Sequence, residues 1–335
     1  MNYILPVLIT ICLLIALGIL IKPVFGVFLI IISVILEAFY IIIFNANLKI
    51  SYIIVILVLI GLVLQILIKG KVRIGYNPFQ RIILVFLLLN FVSILYAPTI
   101  LDSFKNCILY VFFVSIFFTI SIYINSTDRL KTSINLLMIA TIIASLFGLI
   151  QLIGRVIFKT HMLYPNSAGY MSLIEIPQSI RPTAFFVEAD QFGKFAMVAF
   201  LFFLPFLNKN KLFTQISFKM VKATVFLALV SLIIAQTRSA WLGVFAGLLH
   251  YFLFDIKKGK INIKPILKMG LMASIILIGV FLMSPIVFQQ LLERVIGIVN
   301  IEVGRGSGIT RIAAIRSMLD LVVSSSLLVN FLWSI

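Results

Sequence analysis

The sequence predicts an all-α membrane protein: a polytopic transmembrane helical bundle with about ten spans. Three observations carry that expectation. The chain has 335 residues, of which 63% are hydrophobic and 11% charged, and its mean hydropathy is +1.24. Apolar runs of about 18 residues or more recur, each long enough to cross a hydrocarbon layer of about 30 Å as a helix. The short alternating segments that build a membrane β-barrel are not seen.

In order, the apolar runs place spans at 3–21, 24–44, 50–68, 82–100, 107–124, 132–153, 191–207, 221–236, 239–254 and 265–284. The run at 3–21 is too long, and too soon followed by the next, to be a removed signal peptide. The first hairpin of spans turns at Lys22-Pro23. Cys12 and Cys107 lie far apart in apolar runs, so neither a disulfide framework nor a zinc site is expected. No P-loop, nucleotide fingerprint or metalloprotease motif occurs, and no cofactor is implied.

Net charge is +17. A nucleic-acid partner is rejected, because the charges sit in loops between apolar runs and read as topology signals. One set of alternate loops holds 16 of the 27 basic residues, including Lys69, Lys71, Arg73 and Arg81, and later Lys257, Lys258, Lys260, Lys264 and Lys268. That set is expected to face the cytoplasm, which divides the chain into four parts. Residues 1–153 form N-terminal transmembrane helices and 154–190 an extracytoplasmic loop. Residues 191–284 form a second set of helices, and 285–335 an extracytoplasmic amphipathic segment. The tight turn at Thr237-Arg238 faces the same side as the loop.

The two faces also differ in kind. The inner positives are mostly lysine, whereas the outer ones are 4 lysines and 7 arginines: Arg155, Arg181, Arg238, Arg294, Arg305, Arg311 and Arg316. A lysine suffices to anchor a loop at an anionic leaflet. Arginine presents a planar fork that grips phosphate or carboxylate in two places. The outer face therefore reads either as a site for a phosphorylated or acidic ligand, or as contact with lipid headgroups.

Three outward stretches carry the candidate site. In "SIRPTAFFVEADQFGKF", residues 179–195, Pro182 blocks helix and biases Arg181 toward extended backbone. Asp190 is the expected N-cap of the next span and pairs with Lys194 at i,i+4. Arg181 and Glu188 are not needed to start a helix and are candidate functional residues. As a boundary residue, Arg181 is expected to add little to packing. In "QTRSAW", residues 236–241, a short turn between spans holds Arg238 at the membrane boundary, for ligand binding or for snorkelling to headgroups. In "EVGRGSGITRIAAIRSMLDLV", residues 302–322, a glycine-rich lead carries Arg305 and Arg311. Ile312, Ile315, Leu319 and Val322 then line one helical face. That helix either lies on the membrane surface or receives an anion at its start.

Other polar residues are weaker candidates. Glu37 lies within the second predicted span, where an acid is a functional suspect. Asn90 and Gln65 are expected to make interhelical hydrogen bonds. His250 reads as structural, and His161 in the outer loop is a candidate base.

The stretches "RPTAFFVEADQFGKFA", then "AQTRSAWLG", then "SGITRIAAIRSML", all on one face and in this order, resemble the O-antigen ligase and O-antigen polymerase family of bacterial envelope enzymes. The resemblance covers roughly residues 180–320. It implies a metal-independent, lipid-linked glycosyltransferase of the bacterial inner (cytoplasmic) membrane that takes a glycan from a polyprenyl-pyrophosphate donor at the extracytoplasmic face. The acceptor would be another glycan or a lipid, and other polysaccharide-assembly proteins are possible partners. It assigns the pyrophosphate to Arg181, Arg238 and Arg311, with Arg305 a further candidate, and leaves Glu188 as the candidate base. Ligases of the family carry a histidine late in a large outer loop, followed by further spans. Here no histidine follows His250 and the sequence stops at "LLVNFLWSI", so a C-terminally truncated chain is expected. Two alternatives come from other classes. One is a flippase or transporter of the same lipid-linked sugars, which would show broken spans and polar residues near the midplane. The other is a non-catalytic membrane partner of polysaccharide assembly.

The charge asymmetry generates a topology prediction. In a chain lacking Cys12 and Cys107, cysteines placed at Ser167 and Ser307 should react with an impermeant thiol reagent added to intact spheroplasts. Labelling only after membrane disruption reverses the sidedness.

Overall fold

The computed structural model describes residues 4–43, 46–69, 78–96, 99–158, 181–207 and 217–256, together with Leu271. The predicted span at 265–284 and the segment 285–335 otherwise lie outside the described residues, as does most of the loop 154–190.

Among the described residues the chain forms nine α-helices and one short hairpin. They are α1 Ile4–Ile21, α2 Pro23–Ser33, β1 Tyr40–Ile43, β2 Ala46–Lys49, α3 Ile50–Lys69, α4 Pro78–Ser93, α5 Ile100–Tyr123, α6 Thr127–Phe158, α7 Ala189–Phe203, α8 Phe218–Ala235 and α9 Arg238–Ile256. Five stretches are long and apolar enough to cross a membrane: Ile50–Ile68, Ser103–Tyr123, Thr127–Arg155, Ala189–Leu207 and Phe218–Ala235. Large apolar side chains such as Leu88, Ile82, Val198 and Phe245 stand exposed on the helices. Hydrocarbon tails solvate such faces as well as a protein core would, so the exposed apolar surface fits a membrane protein.

The second predicted span is corrected. Helix α2 ends at Ser33, one 3-10 turn follows over Val34–Leu36, and the chain then enters the hairpin. Tyr40 pairs with Lys49 and Ile43 with Ala46 in antiparallel register. The run "YIII" is β-branched and aromatic and so suits a strand. Glu37 is accordingly not an acid stranded within a span; it forms an ion pair with Lys49 from the end of β2. The boundary between the fourth and fifth helices is corrected too. It falls at about Thr99 rather than over 101–106, and Thr99 adopts extended backbone ahead of α5.

Two packed cores place the candidate site. In one, Ile134 and Met138 of α6, Phe200 and Phe203 of α7, and Val225 and Leu232 of α8 bury one another. In the other, Ala144 and Leu152 of α6 meet Ala184, Phe186, Phe192, Val230 and Ile234. A third cluster joins α1, α2, α3 and α5 through Ile19, Val27, Val55, Val58 and Ile122. Helix α6 has 32 residues, about 48 Å at 1.5 Å per residue. That is longer than a ~30 Å apolar layer requires, and Gln151 and Arg155 lie in its last turns.

Polar ties fix the helix ends. Arg129 donates from Nη1 to the Tyr123 carbonyl and to Asn125 Oδ1, each at 3.0 Å, closing the α5–α6 turn. Gln65 accepts from the Tyr123 hydroxyl at 3.1 Å, an interhelical bond as expected. Asn90 instead donates to Phe86 O, 2.7 Å away on its own helix. Its amide satisfies a carbonyl locally rather than a neighbouring helix.

Helix α9 lies against α7 through glycines one turn apart. A Cβ on Gly247 would come within 2.6 Å of Leu201 Cδ1, and one on Gly243 would collide with Met197. Small residues at i and i+4 permit such close approach in lipid. Gly247→Val should therefore lower stability by about 1–3 kcal/mol through overpacking, read as a reduced detergent melting temperature. An unchanged melting temperature would show that α9 has room to move away.

Candidate functional site

The site is built where the segment 181–188 meets the start of α7 and the turn between α8 and α9. That segment is seated by its apolar residues. Phe185 stacks on Phe147 of α6 with centroids 4.1 Å apart and rings 9° from parallel. Phe186 packs against Phe195 of α7 at 5.2 Å. Pro182, Thr183 and Ala184 are buried. Ala184 adopts a positive φ of 49°, a conformation that costs a residue with a Cβ roughly 1 kcal/mol.

Gln151 holds this turn. Its Oε1 accepts from the backbone N–H of Thr183 at 3.0 Å and of Ala184 at 2.7 Å. Its Nε2 donates to Ala184 O at 3.1 Å. One buried amide thus satisfies three backbone groups that have no helix or sheet partner. The sequence marks Gln151 only as an amide within a largely apolar run. Arg155, one turn further along α6, is buried as well.

Arg181 then lies across the end of α8. Its Nε donates to the Ala235 carbonyl at 2.9 Å, and one terminal nitrogen donates to Thr237 Oγ1 at 3.3 Å. The first bond satisfies a carbonyl at a helix C-terminus, where a cation is favoured. Arg181 therefore contributes to packing, contrary to the expectation for a boundary arginine. Its two bonds also fix the orientation of the guanidinium plane.

Thr237 is the junction. Its hydroxyl lies 3.2 Å from Ala189 O and 3.3 Å from Ala235 O, and its carbonyl accepts the first bond of α9 from the Trp241 N–H at 3.1 Å. It packs directly on Gly193: a Cβ there would sit 2.6 Å from Thr237 Cβ. Trp241 Nε1 donates to Leu232 O at 2.9 Å, pinning the start of α9 to α8. Arg238, the first residue of α9 and partly buried, follows directly. The turn needs Gln236 in the left-handed region, φ 52° and ψ 40°. In the sequence Thr237 stands out only as part of the tight turn, and Gly193 and Gln236 only as members of the two quoted stretches.

Glu188, not Asp190, occupies the N-cap of α7, with extended backbone at φ −132° and ψ 149°. Its N–H donates to Gln191 Oε1 at 3.3 Å, the backward half of a capping box. The N-cap lies two positions earlier than expected, because the segment seated by Phe185 and Phe186 ends in extended backbone at Glu188. Asp190 forms the expected ion pair with Lys194, at 2.6 Å. The Glu188 side chain is exposed.

Arg181, Glu188 and Arg238 are thus brought to one end of the bundle. The hairpin joins that end, since the Ala38 N–H donates to Phe185 O at 2.8 Å. His250 lies near the far end of α9. Arg305, Arg311 and His161 lie outside the described residues. The starts of α7 and α9 also converge here, linked by Thr237 to Ala189. Helix N-termini favour anions, so Arg181 and two helix N-termini meet around the Thr237 hydroxyl, with Arg238 the next residue in the chain. Among the described residues no group of three or more histidine, cysteine or carboxylate side chains is placed to hold a metal ion.

Compared with known proteins, the chain matches no family model, no curated protein and no solved structure.

The Gln151 clamp is testable. Gln151→Leu keeps the volume but strands two buried N–H donors and a carbonyl, each costing about 1–3 kcal/mol. Membranes bearing this variant should show a lower melting temperature and faster proteolysis near Pro182. Wild-type resistance would mean that the phenylalanine stacking alone seats the turn.

Proposed function

We infer that the chain binds a polyprenyl-pyrophosphate-linked glycan at this end of the bundle and transfers the glycan to a sugar or lipid acceptor, as an O-antigen polymerase or ligase does. One observation carries the reading. Arg181 bonds to Thr237, which is followed directly by Arg238 and bonded to the first residue of α7. Residues more than fifty positions apart in sequence thus meet at a point that favours anions.

The chemistry fits those residue types. The acceptor hydroxyl oxygen attacks the anomeric carbon, and the bond from that carbon to the pyrophosphate oxygen breaks. The electron pair leaves with the lipid pyrophosphate, while the hydroxyl proton passes to a base. Charge builds on the departing oxygen, and fixed guanidinium groups and helix N-termini stabilise it in place. Arg181 is held by its bonds to Ala235 and Thr237, so its contribution costs little reorganisation. Glu188 is the exposed carboxylate at the same end and is the candidate base. On this reading the site faces the extracytoplasmic side of a bacterial inner membrane.

A second reading has its own support. The bond from Arg181 to Ala235 O is a helix cap in its own right, and a non-catalytic partner of polysaccharide assembly would need no more than that.

Arg238→Lys tests the pyrophosphate grip on which the first reading depends. A bidentate grip on pyrophosphate is lost with lysine, so the purified chain in lipid nanodiscs should bind undecaprenyl pyrophosphate about tenfold or more weakly, nearly as poorly as Arg238→Ala. Unchanged affinity in the lysine variant rules out the bidentate role and favours a headgroup anchor.

A further inference from the structure

Gln236 is costly in two ways at once. It occupies the left-handed region at the C-terminus of α8, where glycine would be free of strain. Its side chain is also buried, with 1% of the residue exposed, and among the described residues neither Nε2 nor Oε1 makes a hydrogen bond. An unsatisfied buried amide is a strong liability, more so beside a hydrocarbon layer. Residues that violate local rules in this way concentrate at binding sites. Gln236 lies between Ala235 and Thr237, the two residues that hold Arg181.

We propose that Gln236 is a specificity-determining residue that binds the sugar attached to the pyrophosphate, through a hydroxyl or acetamido group. The proposal rests on the pyrophosphate reading of Arg181 and Arg238. The amide's own chemistry selects the partner. It offers a donor and an acceptor side by side. A phosphate presents acceptors only, so it would satisfy Nε2 and repel Oε1. A sugar hydroxyl or an acetamido group presents both and satisfies both. The sugar next to the pyrophosphate is also the part of the donor that lies nearest the anion site. Three side-chain torsions let the amide turn toward a bound group while the backbone stays fixed. The arginines thus hold the anion, and the glutamine reads what the anion carries.

The test compares two probes on the 335-residue chain in lipid nanodiscs: undecaprenyl pyrophosphate, and the same lipid bearing N-acetylglucosamine, which presents both hydroxyl and acetamido groups. The wild type should bind the sugar-bearing lipid more tightly. Gln236→Met should weaken that binding about tenfold, leave the bare lipid unaffected, and keep or raise the melting temperature, since an unsatisfied polar group is replaced by an apolar one. Gln236→Gly removes both the amide and the backbone strain; it should show the same selective loss and serves if the methionine variant folds poorly. Three outcomes overturn the inference while leaving the pyrophosphate reading standing: the sugar gives no gain in the wild type, the variants lose both lipids equally, or they only melt lower with both affinities intact. A wild-type chain that binds neither lipid removes the pyrophosphate reading and this inference together.

Discussion

The close approach of Thr237 to the backbone of α7 at Gly193 is the constraint on which the candidate site depends. Any side chain at 193 would collide with Thr237 and push the α8–α9 turn away from α7. With glycine there, one hydroxyl can sit among the Ala189 carbonyl, the Ala235 carbonyl and the Arg181 guanidinium. The starts of two helices and the end of a third are thereby tied together. Because Ala189, Ala235 and Thr237 are buried, the backbone groups at these helix ends must find their partners within the protein. The orientation of Arg181 and the position of Arg238 both follow from it.

The stretch "RPTAFFVEADQFGKF" divides into residues that seat the chain and residues that carry charge. Pro182, Thr183, Ala184, Phe185 and Phe186 are packed between α6 and α7, locked by Gln151 and by aromatic stacking. The charges then emerge at defined places. Arg181 lies over the end of α8, Glu188 caps α7, and Asp190 pairs with Lys194. Only the last of these is a local surface pair, of the kind that contributes a few tenths of a kcal/mol. Arg181 combines a capping contact with a fixed orientation. A structural role and a ligand-binding role are compatible in one guanidinium, since preorganisation is what electrostatic catalysis requires.

The hairpin at 40–49 extends the same logic to the first half of the chain. An acid left in hydrocarbon is expensive, and Glu37 avoids that cost by meeting Lys49 where the chain has already left helical geometry. The backbone bond between Ala38 and Phe185 then joins this end of α2 to the seated segment. Glu37, Gln151, Arg181, Glu188 and Thr237 are in this way gathered at one end, while the helix faces present exposed leucine, isoleucine, valine and phenylalanine.

Hydropathy alone determined the class of the protein and most of its helices, because each apolar run must satisfy its own backbone in lipid and helix is the one local way to do so. Five of those runs stand as helices of spanning length. The sequence also marked Arg181, Glu188 and Arg238 as out of place in such a chain, and it anticipated the Asp190–Lys194 pair from i,i+4 spacing. Local pattern failed where the answer was not local. The hydrophobic index of "YIIIF" is that of a span, and only pairing with residues 46–49 makes it a hairpin. The N-cap moved from Asp190 to Glu188 because the aromatic anchors upstream set where helical backbone begins. The partners of Arg181 lie 54 and 56 positions away, and those of Gln151 lie 32 and 33 away. No periodicity encodes such distances. Composition and spacing fix what each segment is; tertiary packing decides which carbonyl an arginine meets and which amide, among the described residues, is left without a partner.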